Sequence, residues 1–262
     1  MYQAYWGLSR LPFSDDAARR SLAASPVHAE ALARLDFLVE QRSRLGLLLG
    51  PAGSGKSLVL AASACRIART GVALALAPAA AAEEQQLLES LAIGWNVQDA
   101  GDNSGTHWRA ILDRLEEFKL ETVPAVALLD DLDRASPAAV AVVERLMSLS
   151  DVPLTLIAAA RPATANRLSG RLLEQADLRI DLSPWTEDET RTYVQTSLTD
   201  AGRQQAVFDP AAIRRLFELS GGAPRRVNQL AQLALLAGAG QRLVHVDADT
   251  LDAVQEELGM VK

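Results

Sequence analysis

The segment that most constrains the fold is LGLLLGPAGSGKS, residues 45–57. It begins with a short apolar run, continues through three glycines and closes on Lys56 and Ser57, which completes the pattern G-x-x-x-x-G-K-[ST]. The apolar run predicts a buried strand, and the residues after the loop predict a helix to about Ala68. Glycines in such a place let backbone N–H groups face a phosphate. The pattern therefore predicts a phosphate-binding loop, with an ordinary glycine-rich turn as the alternative.

Each polar residue of this loop has an expected role. Lys56 balances charge on the β and γ phosphates of a nucleotide, and the Ser57 hydroxyl ligates Mg²⁺. The chain of 262 residues has only three lysines, so a lysine at this point is hard to attribute to chance. We expect nucleotide contacts from Gly50, Pro51, Ala52, Gly53, Ser54, Gly55, Lys56, Ser57 and Leu58.

Composition narrows the class of protein. About half of the residues are apolar, which suits one large domain or two smaller ones, and we expect two of unequal size. A net charge of −7 gives no overall basic surface for nucleic acid or anionic lipid. The single Cys65 excludes a disulfide or a cysteine-based zinc cluster within the chain. With no signal-peptide pattern and no apolar run of about 20 residues, we expect a soluble, cytoplasmic protein without a membrane span.

The order of predicted elements indicates an α/β fold. Strand-like and helical segments alternate up to Ser183, which predicts a parallel sheet flanked by helices. From Pro184 onward the pattern is helical only, which predicts a small all-helical lid. The predicted organisation is an aromatic segment at 1–27, an α/β nucleotide-binding domain at 28–183 and a lid at 184–262. Residues 96–107 are polar and contain glycine, so we expect a surface loop there.

A second motif is AVALLDDLD, residues 125–133. The apolar run predicts a buried strand that ends on Asp130 and Asp131, a Walker B pattern. Asp130 is expected to hold Mg²⁺, mainly through water, and Asp131 to polarise the attacking water. Asp131 stands where a glutamate is commoner, and its shorter side chain predicts slow hydrolysis. The alternative, that these acids merely cap the next helix, suits Asp133 better than Asp130.

A third motif is SGGAPRRVN, residues 220–228. Glycines end one helix, Pro224 begins the next, and Arg225 lies in its first turn. Cations usually favour the opposite end of a helix, so an arginine here suggests an anionic partner such as a γ phosphate. A solvated arginine pair is the alternative.

With these motifs in order, the chain resembles the AAA+ ATPases and, more closely, the ExeA family of general secretion pathway A-type ATPases. The resemblance covers most of the chain. It includes YWGLSRLPF at 5–13, SPVHAEALARL at 25–35, LTLIAAARPA at 154–163, LSPWTEDETRTYVQTSLTDAG at 182–202 and GGAPRRVNQLAQLALLAG at 221–238.

The resemblance implies further roles. Arg225 would be the sensor 2 arginine, and Arg161 occupies the strand-end position where the family usually has glutamine. Arg171 is the first candidate for a finger that acts on a neighbouring subunit, with Arg179 second, although either could be a surface arginine. The family usually has an arginine where this chain has Ala176. The aromatic residues of the first segment, Tyr5, Trp6 and Phe13, would pack near the adenine or, alternatively, cap the core.

Three function classes remain open on these grounds. The leading one is a magnesium-dependent ATPase, oligomeric in ATP, that remodels or recruits a protein partner, with secretion or surface assembly as one setting. The named secretion members continue beyond the lid into a membrane span and a peptidoglycan-binding part, so their role is not transferred. A DNA-acting ATPase similar to TniB-type transposition regulators is less favoured because of the acidic charge. A binding module that holds ATP without hydrolysis is the third.

Isolated residues add little at this stage. His28, His107 and His245 lack ligand spacing, so we expect surface or capping positions rather than a metal site. We expect the tryptophans Trp95, Trp108 and Trp185 to be packing residues. The lid arginines Arg214, Arg215, Arg225 and Arg226 could form a basic patch, but nearby acids dilute it.

Overall fold

A computed structural model describes residues 2–14, 25–98 and 103–260 of the chain. The contacts divide the chain into two units. The sheet unit comprises Glu30–Pro51 and Lys56–Leu182. The helical unit comprises Met1–Ala29, Ala52–Gly55 and Ser183–Lys262. The centre of the glycine-rich loop is thus grouped with the helical unit, and its two ends are grouped with the sheet unit.

The sheet unit contains five parallel strands within the described residues. They are β1 (Leu45–Leu49), β2 (Ala73–Pro78), β3 (Ala125–Asp130), β4 (Leu154–Ala160) and β5 (Leu178–Asp181), in the spatial order β2-β3-β4-β1-β5. Strands β1 and β4 are buried along their whole length, as expected when both faces of a parallel sheet are covered. The predicted parallel α/β sheet is confirmed, and its carboxyl edge carries Gly50, Asp130 and Arg161.

The helices follow in chain order. They are α1 (Tyr2–Trp6), α2 (Pro26–Glu40), α3 (Lys56–Ile67), α4 (Glu84–Gly94), α5 (Ser104–Leu120), α6 (Pro137–Met147), α7 (Gly170–Glu174), α8 (Glu187–Asp200), α9 (Pro210–Ser220), α10 (Pro224–Gly240) and α11 (Ala248–Met260). Two 3₁₀ turns, Leu132–Arg134 and Pro162–Arg167, follow β3 and β4. Helices α4, α5 and α6 bury apolar residues in one core with the strands.

Close packing of α2 on β1 depends on Gly46. Leu32, Leu35 and Leu38 of α2 are buried, as their helical spacing predicts. A Cβ at Gly46 would lie 2.3 Å from Leu38 Cδ1. The absence of a side chain at Gly46 therefore lets the helix approach the strand that leads into the glycine-rich loop.

The start of α5 differs from the sequence prediction. Of the surface loop expected at 96–107, residues 99–102 lie outside the described part of the chain. The helix already begins at Ser104, because the Asn103 side chain accepts hydrogen bonds from Gly105 N at 3.0 Å and Thr106 N at 3.1 Å. The expectation of a loop through His107 is wrong, and the unrecognised cap at Asn103 is the reason.

The helical unit has its own core, formed by α1 and α8–α11. Trp6 is buried there and its Nε1 donates to Leu235 O at 2.8 Å. Phe13 is buried beside Tyr193 at a ring separation of 6.3 Å. The burial of Trp6 and Phe13 in this core agrees with the core-capping alternative, and packing near an adenine stays a prediction. Tyr5 is more exposed, and its hydroxyl donates to Leu243 O at 2.7 Å.

The described surface includes an accessible thiol, and the described helices fall short of a membrane span in length or apolar character. Within the described ranges, no helix combines the length and apolar character that crossing a bilayer requires. Cys65 lies exposed on α3, the helix that follows the glycine-rich loop. The chain therefore offers one accessible thiol on that helix.

Candidate functional site

Lys56 lies at the start of α3 with only 6% of its surface exposed. Its Nζ donates to Gly50 O at 2.9 Å and to Pro51 O at 3.2 Å, so the ammonium closes the loop on itself. Burial lowers the pKa of Lys56, and the negative charges of Asp131, Asp133 and Asp130 oppose that effect. A partly desolvated cation in this position gains from an additional anion.

Asp130 ends β3 on the same sheet edge. Its Oδ1 is buried and has no hydrogen-bond partner within the described residues, and such an orphan acceptor fits a bound cation. Ser57 is exposed in the first turn of α3. Carboxylate and hydroxyl oxygens suit Mg²⁺, which takes its remaining ligands from phosphates and water. The described residues contain no cluster of three or more His, Cys, Asp or Glu able to hold a metal ion.

Asp131 adopts a left-handed backbone conformation, with φ 54° and ψ 41°. Asp, Asn and Gly tolerate this region better than other residues. The Asp131 side chain is partly exposed and lies 3.7 Å from Arg134 Nη1. A carboxylate that retains contact with solvent, next to the strand-end Asp130, is able to contact a water molecule.

Asp133 has a different environment, because its side chain is completely buried. Its Oδ2 accepts hydrogen bonds from Arg161 Nε at 2.9 Å and from the Thr164 hydroxyl. Burial alone would raise the pKa of Asp133, but the hydrogen bonds from Thr164 and Arg161 outweigh it and the pKa is lowered. Asp133 thus ties the turn after β3 to the turn after β4 and fixes Nε of Arg161, the residue at the strand end where the family usually has glutamine.

The alternative interpretation of Asp133 as a helix cap is wrong. Helix α6 is capped by Ser136, whose hydroxyl accepts from Ala139 N at 3.2 Å. The intervening 3₁₀ turn instead directs Asp133 into the protein. Thr164 could not be predicted as a partner of Asp133, since no local pattern links it to a residue 31 positions earlier.

In the helical unit, the loop glycines have positive φ, 79° at Gly53 and 98° at Gly55. Arg225 is the second residue of α10, as predicted, and its side chain is exposed. The Arg225 backbone N donates to Gly53 O at 3.2 Å. A Cβ at Gly53 would lie 3.1 Å from Arg225 Cβ, so the glycine also provides space.

His28, in the same unit, differs from the sequence prediction. It is 2% exposed, whereas a surface or capping position was expected. Its Nδ1 lies 2.8 Å from Ser25 Oγ and its Nε2 lies 2.8 Å from Ser54 O, in the glycine-rich loop. The ring also packs edge to face with Trp185, 5.9 Å away. The only sequence signal was its place within SPVHAEALARL, a segment that carried the family resemblance.

The remaining predicted residues are readily placed. Trp95 and Trp185 are buried packing residues as expected, and Trp108 is partly buried under the Arg145 guanidinium at 3.8 Å. His107 is buried rather than at the surface, and its Nδ1 lies 2.9 Å from the carbonyl oxygen of Asn103, the N-cap residue of α5; His245 is exposed.

The two finger candidates differ in their surroundings. Arg171 is exposed on α7. Arg179 is paired with Asp181 at 3.0 Å on β5. The side chain of an arginine finger must extend to the phosphate bound by a neighbouring subunit. Because Arg179 is paired with Asp181, it is the weaker candidate.

Known proteins share sequence similarity with this chain. Residues 39–168 match a family model described as the AAA domain. General secretion pathway protein A of Aeromonas hydrophila is 29% identical over 271 residues, which cover 94% of this chain. This chain spans 47% of the length of that relative. The resemblance inferred from the motifs is therefore confirmed.

Solved structures agree on the fold. Cdc6p from Pyrobaculum aerophilum has a TM-score of 0.70 at 15% identity, over 93% of this chain and 68% of that one. The Aeropyrum pernix ORC1 protein, solved in complex with DNA, has a TM-score of 0.66 at 19% identity, over 92% and 69%. The Thermotoga maritima RuvB Holliday junction branch migration motor has a TM-score of 0.57 at 15% identity, over 94% and 70%. At these identities the likeness shows the fold alone.

Proposed function

Since the chain has the AAA+ P-loop ATPase fold and contains a match to the AAA domain, we propose that it binds MgATP and hydrolyses it. Two groups carry this proposal. Lys56 is buried and closes the loop, and the buried Oδ1 of Asp130 has no hydrogen-bond partner within the described residues. A desolvated cation and an unpartnered carboxylate oxygen on one sheet edge are costly unless a ligand supplies an anion and a cation. MgATP supplies both.

The proposed roles follow from the environments of the side chains. Lys56 would exchange its loop carbonyls for phosphate oxygens, and Ser57 and Asp130 would hold Mg²⁺, which neutralises developing charge when bound. Asp131, the partly exposed carboxylate, would orient the attacking water. Asp133 is sealed from solvent and would instead fix Arg161, whose Nη groups would remain free to donate to a phosphate.

Binding is tested by the melting temperature with and without MgATP. At about one hundred times Kd, ligand adds roughly 2.7 kcal/mol to the free energy of unfolding. We expect Lys56→Ala to abolish this increment, because the ammonium provides the main side-chain charge for the phosphates. Lys119→Ala is the matched control, since Lys119 pairs with Asp151 on the exposed surface and should leave the increment intact. An unchanged melting temperature of the parent protein in saturating MgATP would refute the site.

We further propose that the protein is a cytoplasmic switch that self-associates more in ATP than in ADP and recruits or remodels a protein partner. In this proposal the exposed Arg171 acts on the phosphate of a neighbouring copy. Arg171→Ala should lower turnover and leave ATP affinity nearly intact, whereas Arg167→Ala, a nearby exposed arginine, should change neither. Light scattering that gives one mass in both nucleotides would remove the assembly proposal.

A role on DNA is less favoured by the charges of the helical unit. Arg215 is already bound to Asp252 at 2.7 Å and to Glu218 at 2.9 Å, and Arg226 contacts Gln229 at 2.7 Å. Arginines committed to such partners are less available to DNA phosphates. Duplex binding that persists at about 0.2 M salt, where purely electrostatic contacts weaken steeply, would reverse this preference.

A further inference from the structure

His28 is a buried titratable residue that the proposed ATPase chemistry does not use. Both ring nitrogens have partners at 2.8 Å, Ser25 Oγ for Nδ1 and the Ser54 carbonyl for Nε2. Ser25 Oγ also accepts a hydrogen bond from Trp185 Nε1 at 3.0 Å. His28 therefore joins the glycine-rich loop to Trp185 through one intervening hydroxyl.

The directions of these hydrogen bonds follow from the groups involved. A carbonyl oxygen only accepts, so Nε2 of His28 must carry the proton that it shares with Ser54 O. An indole N–H only donates, so Ser25 accepts from Trp185 and retains its own hydroxyl proton for Nδ1. The resulting series runs from Trp185 to Ser25, His28 and Ser54 with each donor matched to an acceptor. Burial lowers the pKa of His28 and so favours neutral imidazole, in which the proton lies on Nε2.

The consequence for the loop comes from peptide geometry. In a planar trans peptide the C=O and N–H groups point in opposite directions. Because His28 holds the Ser54 carbonyl, the Gly55 N–H points away from the imidazole. The Arg225 backbone N holds the Gly53 carbonyl at 3.2 Å in the same way and thereby sets the direction of the Ser54 N–H. Successive amides fixed on one side of a chain form an anion-binding concavity.

Gly55 shows how closely the imidazole and the loop are fitted. A Cβ at this position would lie 2.6 Å from His28 Nε2, closer than real Cβ contacts. The φ of 98° is also strained for any residue with a side chain. The loop glycine is thus needed both for its conformation and for the contact with His28.

We propose that His28 is a positioning residue that holds the Ser54–Gly55 peptide with its N–H presented to nucleotide phosphate. The inference rests on the proposed MgATP binding, and it names a residue outside the loop as a determinant of phosphate affinity. His28 does not touch the ligand. It acts through the Ser54 carbonyl.

The first test compares two aromatic substitutions of buried histidines. His28→Phe keeps a ring but cannot donate to Ser54 O, and His107→Phe is the matched control, since His107 is buried in the sheet unit and bonds Asn103 O at 2.9 Å. Both variants should melt at lower temperature than the parent. Calorimetric titration with MgATP should show about a tenfold weaker Kd for His28→Phe, the scale of one lost hydrogen bond to a loop that must remain ordered, and no change for His107→Phe.

A second arm separates the phosphates from the base. Inorganic tripolyphosphate with Mg²⁺ should lose affinity by the same factor as MgATP in His28→Phe, and His28→Gln, which can still donate, should recover most of it. Unequal losses, with tripolyphosphate unaffected, would place the effect at the adenine and overturn the proposal. If the parent binds neither probe, the proposed function fails; if parent and His28→Phe bind equally, only this inference fails.

A third arm requires no variant. Long-range ¹H–¹⁵N spectra of ¹⁵N-histidine-labelled protein, with three histidines to assign, report which ring nitrogen of His28 carries the proton. The proposal requires the Nε2–H tautomer with and without MgATP. An Nδ1–H tautomer would mean that the Ser54 carbonyl is not held by His28, and the proposal would be wrong even if His28→Phe failed to fold.

Discussion

The ends and the centre of the glycine-rich loop have different chemical surroundings. In the sheet unit the groups around its ends are charged, namely Lys56 with Asp130, Asp131 and Asp133, and then Arg161. In the helical unit the groups that hydrogen-bond to its centre are neutral, namely the His28 ring and the Arg225 backbone N–H, and the Ser25 hydroxyl and Trp185 indole support the His28 ring. Charged groups near a phosphate act on the ligand, whereas neutral hydrogen bonds fix the shape of the backbone that receives it. Variants in the two regions should therefore fail in different ways.

The largest effect on turnover is expected at Asp131, one of the charged residues of the sheet unit. Asp131→Asn should retain nucleotide and lose turnover by roughly a hundredfold or more, the scale for a positioned acid or base. Asparagine tolerates the left-handed backbone at this position, so the fold is preserved. Steady-state ATP hydrolysis with parallel measurement of Kd checks it. Turnover equal to that of the parent would move the role to another group.

The left-handed conformation also supplies a control. Asp131→Gly removes the carboxylate and relieves the backbone, so it should lose turnover while the melting temperature holds or rises. Asp131→Glu restores the commoner carboxylate, but a longer side chain at φ 54° costs about 1 kcal/mol of strain. A rate preserved in Asp131→Glu would still support catalysis at this position.

A smaller effect is expected at Asp133, whose charged side chain is completely buried. Asp133→Asn leaves the Arg161 guanidinium without its anionic partner and should lower the free energy of unfolding by about 2 kcal/mol. Its loss of turnover should be smaller than that of Asp131→Asn, because a buried side chain cannot orient a water. Chemical denaturation measures the first effect. Thr164→Val, which removes one hydrogen bond to Asp133 and no charge, should destabilise less.

The smallest effect is expected at His28, one of the neutral groups, and it concerns the pH dependence of stability. Burial lowers the pKa of His28, and the Ser54 hydrogen bond and the charge of Glu189 oppose this only in part. The unfolded chain therefore takes up a proton at higher pH than the folded one, so the stability contributed by neutral His28 is complete above about pH 6.5 and declines as pH falls further. His28→Gln should flatten that decline. Melting temperatures of both proteins between pH 7.5 and about 5 provide the comparison, and parallel curves would contradict it.

The sequence was sufficient wherever a structural feature depends on neighbours along the chain. The loop, the Walker B strand and the position of Arg225 at the start of α10 each follow from local periodicity and turn chemistry, and the parallel sheet follows from alternating elements. The partners of Asp133 and His28 could not be predicted, because Thr164 lies 31 residues after the first and Ser54 lies 26 after the second. Such pairs depend on tertiary packing, which leaves no local pattern.

Tertiary packing also decides the role of the aromatic residues in the first segment, which the sequence left open. Aromatic residues near a predicted nucleotide site suit base stacking and core packing equally well by composition. Only burial distinguishes the two, and Trp6 donates its indole N–H to Leu235 O, inside the helical core. Backbone conformation is hidden in a similar way, since nothing in DDLD indicates that Asp131 alone is left-handed.

Cys65 gives the chain a spectroscopic handle. It is the single thiol of the sequence, and it lies exposed on the helix that begins with Lys56. A maleimide dye would attach once per chain, without mutagenesis, about two and a half helical turns from the loop. Fluorescence depolarisation by transfer between identical dyes would then count the chains in an assembly, in the same cuvette in which nucleotide is added.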